Sequence, residues 1–427
     1  MKPDLVPVMF PHLPRKRKTT PRRATSLTTR GASVEIACDL RPVPRASKVM
    51  KQNLTRRAAL AALLFALIAP CAAQGQKQRA DASQAEGRAR EVAARFAPVF
   101  RQALGDSRRG DLITNFDFDG DWRGDNNWAH AADTRYRLRA YVYYAASETE
   151  THFFVHYAVF HPRDYKGGAG RGPLLSEIIR EGAKAGGKYD PTGLSSEAVL
   201  AHENDMEGCL VVAAKRAGSD DPARAEVVYV ETLSHDRFLK YATRETSVGD
   251  FKTVRLEAGR PILYVEPKGH GVVAYDGGDK QSGSDALLYR YAARADDPEA
   301  TGASGEVGYE LLPLLTTLWP RARGGANQTY GESSDFAEVS VEAATGKSGK
   351  TQTRKMKLGK TGTAFLGTVG APNAARPPWG WFDRDERDAR PGAWFFDPAA
   401  TVKSHFRPAE EFSLTYVYAP FLGINLR

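Results

Sequence analysis

The segment Ala201-His-Glu-Asn-Asp-Met-Glu-Gly-Cys209 leads into the apolar run Leu210-Val-Val212 and sets the interpretation of the whole chain. His202, Asp205 and Glu207 form the pattern H-x-x-D-x-E. If a strand begins near Asp205, side chains alternate faces, so Asp205 and Glu207 point the same way, about 7 Å apart. Two carboxylates and an imidazole aimed at one place repel each other unless a proton or a cation lies between them. Taken alone, such a short motif also fits a solvated turn before an edge strand.

The flanking sequence predicts a mainly β protein. Tyr136–Ala146 and His152–Phe160 are rich in aromatic and β-branched residues, and Glu226–Leu233 and Pro261–Glu266 continue the pattern. Such runs are typical of strands, and helices that alternate regularly with strands are not apparent. We therefore expect a two-sheet, jelly-roll-like β-sandwich with peripheral helices, formed as one domain by residues 85–427.

Three peripheral helices are expected. Ala85 to Leu104 carries apolar residues at helical spacing, with a kink or restart at Pro98. Asp285–Ala293 and Tyr309–Trp319 are predicted as short helices. The segment 165–200 is Gly-rich at both ends and is interpreted as an inserted helical segment, either a lid or a spacer.

Charge is distributed unevenly along the chain. The 427 residues include 60 Lys/Arg and 51 Asp/Glu, for a formal net charge of +9. Residues 1–73 hold 14 of the basic and 3 of the acidic residues, so the remainder holds 46 and 48. Because the basic character belongs to the N-terminal segment, we expect no nucleic-acid partner.

Residues 50–73 have the organisation of an export signal. Positive residues, among them Arg56 and Arg57, precede an apolar run at 58–69 that is too short to span a bilayer. Cys71-Ala-Ala73 supplies small residues for cleavage. We expect a secreted or periplasmic protein, exported by the Sec route or, given the twin arginine, by the Tat route.

The predicted export signal also guides the interpretation of the residues on either side of it. Residues 1–49 are expected to be a disordered extension, or to precede a true start at Met50, and residues 74–84 a polar linker.

After processing, Cys209 is the one cysteine left, so no internal disulfide is expected. No transmembrane segment is predicted in the mature chain, which we expect to be a monomer.

Two further segments with candidate site residues lie in the sequence before and after the segment 201–209. The strand before residue 165 ends in Phe160-His-Pro-Arg-Asp164, where Pro162 closes it. Gly269-His-Gly271 predicts a tight turn that presents His270. Over roughly residues 95–275, this order resembles the necrosis- and ethylene-inducing-peptide-like proteins. In that family a strand ends in a Pro-Lys-Asp turn, a Gly-His-Arg-His-Asp-Trp-Glu heptad follows, and a His-Gly turn comes later.

The resemblance implies a β-sandwich with flanking helices, a bound divalent cation and, in secreted members, binding of a glycosylated sphingolipid. Matched residue by residue, it implies that Asp164, His202, Asp205 and Glu207 are the metal ligands. It also implies that His270 lies close to the ion.

The chain departs from the family pattern at two heptad positions. Asn204 stands where the family has its second histidine, and Met206 stands where it has tryptophan. We group Asn204 and His161 with His270 as residues that contact a ligand or support the metal ligands.

An oxygen-rich ligand set with one imidazole suits Ca²⁺ or Mg²⁺, with Mn²⁺ as an alternative, better than a structural zinc site. A zinc-protease motif would need histidine at Met206, and a G-x-S-x-G nucleophile motif is absent from the sequence. Cys209 leads into an apolar strand with no activating cation beside it in sequence.

Three function classes remain open. One is an exported metal-binding protein that recognises a surface lipid headgroup or a glycan. Another is a metal-assisted hydrolase with Glu207 or His270 as base. The third is a structural domain whose loops a cation holds together.

Overall fold

The structure, a computed structural model, describes the chain from residue 84 to residue 425 with interruptions. The described ranges are 84–105, 107–164, 202–217, 219–243, 251–278, 285–302, 305–345, 350–369, 375–384, 392–406 and 411–425. The predicted export signal at 50–73 and the predicted insertion at 165–200 lie outside them, as does the predicted linker apart from residue 84.

Strands dominate the described residues, which confirms a mainly β protein. They are β1 Val99–Ala103, β2 Tyr141–Thr149, β3 His152–Asp164, β4 His202–Ala214, β5 Glu226–Ser234, β6 Arg237–Ala242, β7 Lys252–Thr253, β8 Leu256–Glu257, β9 Arg260–Val265, β10 Val272–Ala274, β11 Ala286–Tyr291, β12 Glu306–Pro313, β13 Tyr330–Phe336, β14 Val339–Thr345, β15 Lys350–Met356, β16 Gly359–Phe365 and β17 Tyr416–Tyr418.

The helices are few and short. They are α1 at residues 84–96, α2 Asn127–Ala132, α3 Leu318–Ala322, α4 Ala393–Phe396 and α5 Pro398–His405, with single 3₁₀ turns such as Arg108–Asp111. Among the helices in the described ranges, none combines the length and hydrophobicity that crossing a membrane requires.

The predicted two-sheet sandwich is not confirmed, because the strands join into one curled mixed sheet. Fifteen strands belong to it, with the main order β10-β9-β1-β11-β12-β2-β3-β4-β5-β6-β7, while β13 and β16 form a separate pair. The parallel pairing of β12 with β2 connects what would otherwise be two layers. At the far end β10 packs against β4 and β5, so the sheet curls back over itself.

Both faces of the central strands are buried. On β3, Phe154 and Phe160 belong to one core cluster, whereas Phe153 and Tyr157 belong to the other. The first cluster is completed by the aromatic C-terminal segments, and the second by α1 and the curled strands β1, β9, β11 and β12. Strands buried on both faces carry nearly continuous apolar runs, which explains the density of aromatic residues in β3.

The predicted helix Ala85–Leu104 is wrong in its second half. Helix α1 covers residues 84–96, and Val99–Ala103 instead forms β1 between β9 and β11. Pro98 cannot donate a hydrogen bond within a helix, and it disfavours helical geometry in the residue before it. The proline therefore ends the helix rather than kinking it.

Two other predicted helices are also wrong. Asp285–Ala293 contains β11, and Tyr309–Trp319 contains the end of β12 and only the start of α3. Short apolar runs fit a buried strand as well as a buried helix by periodicity alone. The parallel pairing of β11 with β12 decides for strands here, with Tyr289 opposite Val307.

A neutral histidine is built into the core on β3. The His156 ring packs 4.6 Å from the ring of Trp394, and Nε2 donates to the Trp394 carbonyl oxygen over 3.0 Å. Burial lowers the pKa of His156 to about 3, and burial lowers the pKa of His152 on the same strand to about 4. Both histidines are therefore neutral in the folded protein near neutral pH.

Acid should destabilise the protein through these two residues. Their pKa values are lower in the folded than in the unfolded chain, so their stabilising effect is complete above about pH 6.5 and is lost as the pH falls. For His156 the loss at pH 5 is about 2 kcal/mol. Urea unfolding at pH 7 and pH 5 should show a drop in the free energy of unfolding that is smaller in His156→Gln. An identical drop in the variant would contradict the assignment.

Candidate metal centre

Three side chains converge where β3 ends and β4 begins. Asp164 and His202 are direct partners in the β3–β4 register, and His202 Nε2 lies 3.4 Å from Asp164 Oδ2. Asp205 joins them, and one potential ligand atom from each of the three residues lies within 4.8 Å of the others. All three residues are buried. The pairing of β3 with β4 thus brings together residues that residues 165–201 separate in sequence.

The orientation of His202 suits a metal ligand. Its Nδ1 faces the backbone carbonyl oxygens of Asn204 at 3.1 Å and Glu203 at 3.3 Å, so Nδ1 carries the proton and donates. Nε2 is the ring nitrogen that remains for a metal ion, and it faces the carboxylate of Asp164. Metal-bound histidines commonly donate their second N–H to a backbone carbonyl in this way, which fixes the tautomer and the ring orientation.

Glu207 lies beside this cluster but outside the set of atoms within 4.8 Å. Its Oε1 accepts the backbone N–H of His235 over 2.8 Å, whereas its buried Oε2 has no hydrogen-bond partner among the described residues. Burial and then the negative charge of Asp205 raise the pKa of Glu207 well above its usual value. A buried carboxyl in this position is stable only if it is protonated or compensated by a cation.

His270 lies between two carboxylates. Its Nδ1 is 2.8 Å from Asp205 Oδ2 and its Nε2 is 3.1 Å from Asp111 Oδ1. Burial opposes the charged imidazolium, yet the hydrogen bonds to both carboxylates raise the pKa of His270 to about 10. Burial likewise works against the carboxylate of Asp205, but the hydrogen bond from His270 holds its pKa below the usual value.

Asp111 is a site residue that the sequence did not reveal. Besides His270, its carboxylate accepts the backbone N–H groups of Gly105 over 2.6 Å and of Lys268 over 2.7 Å. It therefore ties the loop after β1 and the turn before β10 to the site. Its sequence neighbours, Arg109-Gly110 and Leu112-Ile113, carry no motif, so nothing in the pattern points to this role.

His161 lies directly against His270. The two rings stack with centroids 3.8 Å apart and planes 4° apart, and His161 is the register partner of Asp205. Its Nε2 donates to Gln102 Oε1 over 2.9 Å, while the buried Nδ1 has no partner in the described part of the chain. Burial, and then the charge of His270, lower the pKa of His161 well below its usual value, so His161 stays neutral.

Asn204 makes its side-chain contacts with neighbouring loops. Its Nδ2 donates to the Gly124 and Leu366 carbonyl oxygens over 2.7 and 2.9 Å, and its Oδ1 accepts from Asn127. The backbone of Asn204 has a φ of 57°, a conformation that asparagine tolerates better than most residues. These contacts bind two loops to the start of β4.

Glu203 supports the same strand and was also missed from the sequence. Its carboxylate accepts the backbone N–H of Trp128 over 2.6 Å, at the start of α2, and the backbone N–H of Thr368 over 2.8 Å. A carboxylate is favourable at the first turn of a helix. Glu203 and Asn204 therefore hold β4 in place at the point where His202 and Asp205 emerge.

Cys209 plays no part in this chemistry. The thiol is fully buried two residues beyond Glu207, and burial raises its pKa. A thiol that stays protonated is a poor nucleophile, so Cys209 is a small core residue, as expected from the sequence.

Removing Asp111 should destabilise the protein strongly, because it leaves His270 with one carboxylate and two backbone N–H groups without an acceptor. We expect Asp111→Ala to lower the free energy of unfolding by about 3–5 kcal/mol, measured by urea denaturation. Asp335→Asn changes an exposed carboxylate and is the control, with an expected effect within about 0.5 kcal/mol. A loss of less than about 1 kcal/mol in Asp111→Ala would contradict the role assigned to this residue.

Comparisons with known proteins find distant structural likenesses. Neither a protein-family model nor a curated protein matches the chain. Necrosis and ethylene inducing protein 2 from the causal agent of cocoa's witches' broom disease is 14% identical, covers 44% of this chain and 68% of its own, and has a TM-score of 0.23. The non-toxic HaNLP3 protein is 13% identical, with 52% and 73% covered and a TM-score of 0.23. NLPPya in complex with mannosamine is 14% identical, with 45% and 68% covered and a TM-score of 0.22. At this similarity they define neither the fold nor the function of this chain.

Proposed function

We propose that this protein is an exported divalent-cation-binding β protein that recognises a lipid headgroup or a glycan at a surface. In this proposal Asp164, His202 and Asp205 hold the ion, with Glu207 beside it. The observation that carries the proposal is the buried convergence of these three ligand atoms within 4.8 Å of one another. Buried charged groups of this kind are expected to be paired or to coordinate a metal.

The ligand set favours a hard cation. Two carboxylates and one imidazole, with Glu207 as a further carboxyl, offer mainly oxygen donors, which Ca²⁺, Mg²⁺ and Mn²⁺ prefer. The ion would compensate the charge of Asp164 and Asp205 and allow Glu207 to ionise. Its open coordination positions would be available to oxygen atoms of a ligand.

Recognition of a surface ligand is supported by two exposed side chains beside the site. It is also supported by the order of the three sequence motifs, which resembles that of the necrosis- and ethylene-inducing-peptide-like proteins. The side chains of His235 and Glu266 are 47% and 41% exposed, and His235 Nε2 lies 3.2 Å from Glu266 Oε2. His235 also adjoins Glu207 through its backbone N–H. An exposed imidazole and an exposed carboxylate beside Glu207 can hydrogen-bond to hydroxyl and amine groups of a headgroup or sugar.

A metal-assisted hydrolase is the alternative use of the same site. His270 is a poor general base because both of its ring nitrogens already face carboxylates. Glu207 remains a candidate, since Oε2 has no partner among the described residues. A purely structural ion would account for the cluster but gives no role to the exposed His235 and Glu266.

Metal binding can be measured directly. Titration calorimetry on the purified protein with CaCl₂, MgCl₂ and MnCl₂ should detect one site, and chelator should lower the melting temperature. We expect Asp205→Asn and His202→Gln each to weaken binding at least about tenfold. His202→Gln leaves the Asp111–His270–Asp205 contacts in place, and Asp335→Asn is the matched control for loss of an exposed carboxylate. Unchanged affinity in both site variants would exclude this cluster as the ion site.

Surface recognition should depend on the ion. We expect the protein to co-sediment with phosphatidylcholine vesicles that contain a glycosylated sphingolipid in the presence of CaCl₂. Binding should be lost in chelator and in His202→Gln, because both remove the cation that orients the headgroup. Equal binding to pure phosphatidylcholine, or no binding to the glycolipid vesicles by calcium-loaded protein, would contradict headgroup recognition while leaving metal binding intact.

A further inference from the structure

Strand β15 lies at an edge of the sheet. It pairs only with β14, so its other edge carries no hydrogen-bonded neighbour among the described strands. In the register, Arg354 lies opposite Val341 and Gln352 opposite Ala343, and residues directly opposite share a face of the sheet. Val341 and Ala343 are buried in the core, whereas Gln352 and Arg354 are exposed. We call the face of β15 that carries Gln352 and Arg354 its inner face. This face extends beyond the core, whereas the same face of β14 covers the core.

A groove of about 240 Å³ lies between β14, the inner face of β15 and the C-terminal segment. Gln352 and Arg354 line it from β15, Ala343 and Thr345 from β14, and Ile424 and Asn425 from the C-terminal segment. Its volume is below the roughly 300–1,000 Å³ of drug-sized ligand sites, so it suits a unit the size of a monosaccharide.

The described residues that line the groove supply several hydrogen-bond donors and no carboxylate. Within the described part of the chain, the guanidinium group of Arg354 and the amides of Gln352 and Asn425 make no hydrogen bond or ion pair. An unpaired guanidinium group offers a planar fork that matches a carboxylate in two-point contact. Side-chain amides can donate to, and accept from, sugar hydroxyl groups.

The charge around the groove is mainly positive, although Glu338 and Glu342 lie beside and on β14. Residues 350–360 contain five basic residues, Lys350, Arg354, Lys355, Lys357 and Lys360, and no acidic residue. Residues 74–427 as a whole carry slightly more acidic than basic residues, so the segment 350–360 is a local concentration of positive charge. Lys350, Arg354 and Lys355 lie on β15 itself, whereas Lys360 lies on β16. Such a concentration attracts an extended polyanion and raises its association rate.

We propose that this groove binds one uronate unit of a linear acidic polysaccharide, with the remaining units running along the basic strand. Arg354 pairs with the uronate carboxylate, and Gln352 and Asn425 hydrogen-bond to its hydroxyl groups. Lysines on an edge strand also prevent edge-to-edge aggregation. That role accounts for the outward Lys355, which pairs with Glu338 at 3.1 Å, but not for the donor set on the inner face.

A membrane surface fits this strand less well than a soluble polyanion. Among the described residues, the large hydrophobic side chains that are exposed are Leu256 and Phe382, and neither belongs to the β14–β15 hairpin. The described residues of the strand therefore offer no exposed large hydrophobic side chain to insert below a headgroup layer. None of the groove residues belongs to the metal cluster, so this inference is independent of the proposed function.

Binding can be tested with sodium polygalacturonate and with neutral dextran as the comparison polymer, using the full chain. We expect calorimetric titration to detect polygalacturonate but not dextran, with weaker binding as NaCl rises from about 50 to 200 mM. Arg354→Gln should weaken binding about tenfold, because a charge-assisted contact is lost. Lys355→Gln removes the same charge from the opposite face and should change the affinity less than about twofold.

Three outcomes would contradict the proposal. No binding of polygalacturonate by wild-type protein overturns the proposal. Equal weakening by Arg354→Gln and Lys355→Gln overturns it in favour of diffuse charge attraction. Tighter binding to phosphatidylglycerol vesicles than to the polysaccharide overturns it in favour of a membrane surface. Thermal melts of both variants, which change exposed side chains, verify that each is folded.

Discussion

The antiparallel pairing of β3 with β4 is the constraint on which the rest of the structure depends. The register runs from His152 opposite Ala214 to Asp164 opposite His202, so the last carboxylate of one strand meets the first imidazole of the next. A slip of one residue would turn every side chain to the other face. Because apolar residues on both faces of these strands are buried, such a slip would place Asp205 and Glu207 in an apolar core. Packing therefore fixes the geometry of the candidate centre.

The cost of burying so many charged groups is offset in two ways. Asp111 and Asp205 share His270, and a positive charge between two carboxylates offsets their mutual repulsion. Glu203 and Glu207 instead accept backbone N–H groups from neighbouring turns. Partial compensation is costly in a buried network, and Glu207 is the member whose pKa rises well above its usual value. A cation between Asp164, His202 and Asp205 would complete the charge balance.

The C-terminal part of the chain supports the site from behind. Trp381 Nε1 donates to the carbonyl oxygen of Met206 over 3.0 Å, at the residue between Asp205 and Glu207. The ring of Trp381 packs against that of Trp394 at 5.3 Å, which in turn contacts His156 on β3. The two strands that carry the candidate ligands are thus held by an aromatic layer on the face opposite Asp205.

The sequence by itself determined the local features: the strands around Tyr143, His156 and Leu210, and the shared face of Asp205 and Glu207. These depend on side-chain periodicity and on backbone chemistry, which act between near neighbours. Only the tertiary structure decided that β11 and β12 are strands, since short apolar runs take their conformation from the partner they pair with. It also decided that one sheet replaces two, through the pairing of β12 with β2. Asp111 entered the site for the same reason. Its role comes from the imidazole of His270, which lies far away in sequence, and contacts between distant residues leave no periodic trace along the chain.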